Sequence, residues 1–68
     1  MQEFELTSEY IELVKLLKIT GIAETGGHAK ILVDEGEVLL NGEPESRKKA
    51  KLRAGDVIEI MDEKIKLI

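Results

Sequence analysis

Cysteine and tryptophan are absent from this chain, and histidine, proline, tyrosine and phenylalanine occur once each. Without cysteine there are no disulfides, thiolate metal sites or thiol nucleophiles. The chain suits a reducing compartment, and a cytoplasmic protein is the expectation. His28 is the only imidazole, so a metal site would fall to Asp and Glu, and no acidic cluster has the spacing of a ligand loop. Ser8, Ser46, Thr7, Thr20 and Thr25 lack a neighbouring base that would activate a hydroxyl. An enzyme is not expected, and neither is a cofactor or a metal. Aromatic residues, at 3%, offer no stacking platform of the kind that single-strand binders use. No apolar run approaches the ~20 residues that cross a membrane. The opening MQEFELTSE lacks the basic-then-apolar order of a signal peptide.

What is present is charge, unevenly placed. The 68 residues are 43% apolar and 35% charged, with a net charge of −4, the composition of a folded soluble chain. At this length one domain, 1–68, is expected, with a thin core that buries about 60% of the unfolded surface. Residues 1–46 hold ten acids and three bases, a net −7, whereas residues 47–68 hold seven bases and four acids, a net +3. The run RKKAKLR puts Arg47, Lys48, Lys49, Lys51 and Arg53 into seven residues. A basic run is often only a solvated surface. Here the acidic remainder already serves solubility, and five like charges repel one another until an anion offsets them. Screening confines a surface charge to roughly 8 Å, so such a patch can hold phosphate while acids elsewhere repel it.

The chain opens with an alternating stretch, QEFEL, that predicts a short strand with Phe4 in the core. Thr7 and Ser8 then offer a helix N-cap. Tyr10, Leu13, Val14 and Leu17 follow helical spacing, which predicts a helix over Tyr10–Ile19 with the Tyr10 ring in the core and Gly21 as its stop. A second helix is expected from Gly27 to Glu35, with Ala29, Leu32 and Val33 on one face and Gly36 ending it, so that the two form an αα-hairpin. After Gly36 the period changes to two. Val38–Leu40 leads into Asn41-Gly42, a strong hairpin signal, and Pro44 places the return strand at an edge. The basic run is expected to be a loop, followed by a turn at Ala54-Gly55-Asp56. A strand at Val57–Ile60, a turn at Asp62-Glu63 and a last strand through Ile65 and Leu67 close the chain. QEFEL is expected to pair with that last strand. The fold class is α+β, a two-helix hairpin on a small, mostly antiparallel sheet.

The stretch ETGG has two readings. The paired glycines serve a turn between helices. Alternatively, Gly26 and Gly27 expose amides at a helix N-terminus, where the dipole favours phosphate, with Lys30 one turn further on and His28 beside it.

The stretch Ile11–Ile60 resembles the alpha-L RNA-binding domain, which is named for a small-subunit ribosomal protein. That domain recurs in pseudouridine synthases, tyrosyl-tRNA synthetases and a heat-shock ribosome-binding protein. The resemblance lies in LLKITGIAETGGHAK, LVDEGEVLLNG and LRAGDVIEI, in their order and spacing. TGGHAK and ESRKKAKL are similar to the signature of the small stand-alone bacterial members. Many larger members carry an Arg directly after the Ser/Thr that opens the second helix, and here Gly26 stands in that place. The resemblance implies a non-catalytic protein that grips structured RNA, such as ribosomal RNA or tRNA, with the ribosome as a possible host. The expected contacts are Lys18, Thr25, Gly26, Gly27, His28, Lys30, Arg47, Lys48, Lys49, Lys51 and Arg53. The basic loop would lie beside the N-terminus of the second helix, and the two would hold the phosphate backbone together. VLLNGEPE and LRAGDVIEI are also similar to ubiquitin-like sulfur carriers, but those end in a flexible Gly-Gly tail where this chain ends KIKLI. A protein-interaction module, its basic loop meeting an acidic partner, is the remaining alternative.

Overall fold

The computed structural model describes residues 1–68. In chain order the elements are β1 (Gln2–Phe4), β2 (Ile11–Glu12), α1 (Leu13–Ile19), α2 (Gly26–Asp34), β3 (Leu39–Leu40), β4 (Glu43–Pro44), β5 (Lys51–Leu52), β6 (Val57–Ile60) and β7 (Glu63–Leu67). Five strands form one sheet in the order β1-β7-β6-β3-β4, and β2 pairs with β5 in a separate two-stranded ribbon. All pairings are antiparallel except that of β1 with β7, where Gln2 lies opposite Ile65 and Phe4 opposite Leu67. The helix pair and the mostly antiparallel sheet match the fold expected from the sequence.

Periodicity explains the core. Leu13, Leu16 and Leu17 of α1 and Ala29, Leu32 and Val33 of α2 are buried. They join Val38, Leu52, Ile58, Ile60 and Leu67 in one cluster, and Phe4 packs on it half-buried. Ile58 and Ile60 alternate inward while Val57 and Glu59 are half-exposed, as a strand of period two requires. At Asn41-Gly42 both residues have positive φ, 52° and 86°, the geometry of a two-residue hairpin turn, and Pro44 sits on the edge strand.

Four expectations are corrected. The first helix starts at Leu13 and not at Tyr10, because the preceding Ile11 is buried as a strand residue opposite Leu52. Thr7 and Ser8 cap nothing, and the Ser8 hydroxyl instead donates to the Tyr10 carbonyl at 2.9 Å. Tyr10 is 37% exposed and outside the core. The last turn is Met61-Asp62, since Ile60 already faces Glu63 in the β6–β7 register.

Candidate functional site

The basic run is not a free loop. Its burial alternates: Ala50 and Leu52 point into the core, and Lys49, Lys51 and Arg53 are exposed. The main chain is fastened to the start of α1. The Leu13 amide donates to the Ala50 carbonyl at 2.9 Å, and the Val14 amide donates to the Lys48 carbonyl at 3.1 Å. Helix-start amides have no partner within their own helix, so a segment from far along the chain supplies the cap that no local side chain provides.

Carboxylates already engage three of the five cations in the run. Arg47 makes a two-pronged contact with Glu45, Nε to Oε2 at 3.0 Å and Nη2 to Oε1 at 3.1 Å. That side-chain hydrogen bond, more than any other cause, holds the Glu45 carboxyl below its ordinary range. Lys48 pairs with Asp34 at 3.2 Å, and Arg53 with Glu9 at 3.4 Å. Lys49 and Lys51 form no ion pair, and the same is true of Lys18 and Lys30 on the helices. All four are exposed.

The N-terminus of α2 is capped by a local side chain. Thr25 is extended, as an N-cap residue should be, and its Oγ1 accepts from the His28 amide at 3.0 Å. The His28 ring turns back, and its Nδ1 accepts from the Glu24 amide at 3.3 Å. This arrangement is a capping box displaced by one residue, in which an imidazole replaces the carboxylate and takes the amide before the N-cap rather than that of the N-cap itself. The Gly26 and Gly27 amides donate to no protein acceptor and remain open toward solvent. Neither glycine has positive φ, and a Cβ would fit at both.

The structure separates the two halves of the expected site at Lys48. That side chain meets Asp34, the last residue of α2, whereas the open amides lie at its first turn, about 12 Å away at 1.5 Å per residue. Thr25, Gly26, Gly27, His28 and Lys30 therefore lie together toward one end of α2, and Lys48 of the basic run meets the other end.

Sequence reasoning missed Tyr10. In the β2–β5 ribbon the paired Ile11 and Leu52 are buried, and the residues that flank them, Tyr10 and Glu12 on one side and Lys51 and Arg53 on the other, are exposed or half-exposed. Lys51 Nζ lies 5.0 Å from the ring centroid and Arg53 Cζ 5.8 Å from it. Cation–π contacts at exposed sites contribute about 0.5–1 kcal/mol. The ring also borders a groove of about 590 Å³ whose walls include Phe4, Leu6, Glu9, Glu12 and Lys15. No signal short of strand register could have brought Tyr10 to the basic run, because the two are some forty residues apart. No three His, Asp or Glu side chains gather as metal ligands.

Comparison with known proteins gives this geometry a context. Residues 4–68 match the S4 domain family. The chain is 44% identical over 55 residues to the probable ribosome maturation protein RlbA of Bacillus subtilis, covering 81% of this chain and 78% of that one. It is 36% identical over 59 residues to the putative RNA-binding protein YbcJ of Escherichia coli, covering 87% and 84%. The solution structure of YbcJ from E. coli, which reveals an alfaL motif involved in RNA-binding, superposes with a TM-score of 0.76 at 35% identity, over all of this chain and 87% of that one. With a helix pair, sheet and motif order that agree, and a match over nearly its full length, the chain belongs to the S4 domain family.

Proposed function

We propose that this is a non-catalytic RNA-binding protein that holds structured RNA by its phosphate backbone. One observation carries the reading: the basic run is built into the fold, with its main chain bonded to α1 and its side chains alternating so that Lys49, Lys51 and Arg53 face solvent together. Cations presented from a fixed frame lose less freedom on binding than cations on a mobile loop. Lys49 and Lys51 are free of carboxylates, and phosphate competes with Glu45, Asp34 and Glu9 for Arg47, Lys48 and Arg53. Lys18, Lys30 and the open amides of Gly26 and Gly27 are proposed as further phosphate contacts, apart from the basic run. The name of YbcJ, a putative RNA-binding protein, supports RNA as the partner, and that of RlbA, a probable ribosome maturation protein, supports the ribosome as the setting; ribosomal RNA as the target and the cytoplasm as the location are part of the proposal.

Crosslinking the protein to RNA in cells and sequencing the attached fragments tests the reading. Enrichment of ribosomal RNA or its precursors is expected. Recovery of no RNA above an uncrosslinked control would refute it, and recovery of an acidic protein instead would favour an interaction module.

A further inference from the structure

We infer that Tyr10, Lys51 and Arg53 form a site for one unpaired nucleotide, the base stacking on the Tyr10 ring and its phosphate held by the two cations. The inference rests on the RNA-binding reading and adds to it a contact with a base in place of backbone alone. Three features share the Tyr10 ring. The first is the ring itself, 37% exposed on a chain whose other aromatic side chain packs on the core. The second is the pair of cations over it at 5.0 and 5.8 Å, with Lys51 in the β2–β5 ribbon and Tyr10 and Arg53 next to its ends. The third is the groove of about 590 Å³ that the ring borders, a size within the roughly 300–1,000 Å³ of small-ligand clefts; Lys51 and Arg53 are not in its walls, so the ring is where cations and groove adjoin.

The chemistry is complementary. A base presents a π-face of any sequence, which suits an exposed ring, and brings a phosphate within reach of whatever flanks that ring. Lys51 has no carboxylate partner, so its ammonium can leave the ring for a phosphate without breaking an ion pair. Besides the ring, the Arg53 guanidinium has one carboxylate partner, Glu9, whose side chain is 84% exposed, and a phosphate replaces that carboxylate. Glu9 and Glu12 line the same groove and set its limit. They disfavour a second phosphate deep in the cleft, so the site takes one nucleotide from a bulge, loop or end and does not thread a strand. Duplex RNA, with its bases stacked and paired, offers nothing to the ring.

Tyr10 is the only tyrosine and there is no tryptophan, so tyrosine emission reports this ring alone. The probes are a single-stranded oligoadenylate of about twelve nucleotides, long enough for the basic run to hold flanking phosphates, and the same strand paired with oligouridylate. The single strand is expected to quench tyrosine emission with the midpoint of binding, and the duplex to bind without quenching. Tyr10→Phe should retain affinity for the single strand, and Tyr10→Ala should lose roughly five- to hundredfold while duplex affinity holds. Single-strand binding without quenching overturns the site, as does a Tyr10→Ala loss that is equal on both probes. If Tyr10→Ala fails to fold by circular dichroism, quenching of the parent decides alone. A parent that binds neither probe overturns the RNA-binding reading as well. One that binds both, depends on Lys49 and shows no quenching overturns this site only.

Discussion

The Val14 amide, in the first turn of α1, donates to the carbonyl oxygen of Lys48 across 3.1 Å. A helix that lacks a local cap is thereby tied to the run that carries the charge, and core packing sets where the cations stand. Leu52, fully buried between Lys51 and Arg53, is the side chain that fixes this arrangement. Leu52→Ala is expected to cost about 2–5 kcal/mol, a large share of the roughly 3–10 kcal/mol available to a domain of this size. Urea unfolding measures the cost. A loss under about 0.5 kcal/mol, in the range of surface changes, would mean that the ribbon is not part of the cooperative core.

Lys49 separates binding from stability, because it is exposed and has no partner. Lys49→Glu should weaken RNA binding on every sequence and change stability by no more than about 0.5 kcal/mol. If about five phosphates are neutralised by the parent, log K falls with log[salt] at a slope of roughly −3.5 to −4.5, and losing one contact lowers its magnitude by about 0.7–0.9. Filter binding across a salt series reads both slopes. Parallel lines for parent and variant would remove Lys49 from the interface.

Gly27 tests the open amides. Its φ is not positive, and a Cβ would meet only the Thr25 hydroxyl at 3.8 Å. Gly27→Ala should therefore raise helix stability by up to about 1 kcal/mol. The bulkier Gly27→Val should hinder a phosphate from reaching the Gly26 and Gly27 amides while leaving the salt slope nearly unchanged, since no cation is removed. A folded Gly27→Val protein with parental affinity would leave ETGG as a turn and nothing more.

The Glu45–Arg47 pair predicts a pH dependence. A hydrogen bond from Arg47 lowers the Glu45 carboxyl, so the ionised form favours the folded state. That contribution is complete above the unfolded value of about 4.3 and is lost as pH falls through the folded one. Glu45→Gln should bring denaturant midpoints below the parent's at neutral pH, with the gap closing under acid. Arg47 is 74% exposed, which keeps the gap small. The same substitution frees Arg47 and should tighten RNA binding. A gap that widens under acid would contradict the sign.

The Met61-Asp62 turn carries left-handed backbone, φ 50° and 67°, at Met61, which disfavours it, and at Asp62, which tolerates it less well than glycine. Replacing the pair with Asn-Gly, which the Asn41-Gly42 hairpin already uses, should stabilise the fold by about 1 kcal/mol or more. Thermal unfolding would show it as a higher midpoint. An unchanged midpoint would indicate that the turn relaxes at no cost.

Most of the fold was legible because it is local. The stripes of the two helices, the period change after Gly36, the Asn41-Gly42 turn and the alternation at Val57–Ile60 all follow from side-chain spacing along one segment. Even the pairing of the first strand with the last was readable from two short alternating stretches. The helix start was not. Tyr10 and Ile11 fit the helical spacing as well as Leu13 does, and only the partner strand at Lys51–Leu52 draws Ile11 out of the helix. The sequence by itself determined which residues carry charge, that five cations stand together, and that Gly26 and Gly27 precede a helix. Tertiary structure alone decided how those groups are arranged. It anchored the basic run to α1, set Lys48 against Asp34 at the far end of α2, and placed Tyr10 under Lys51 and Arg53. The physical reason is that each of these contacts joins residues distant in sequence. Their geometry depends on strand register and core packing, which a one-residue slip would reverse.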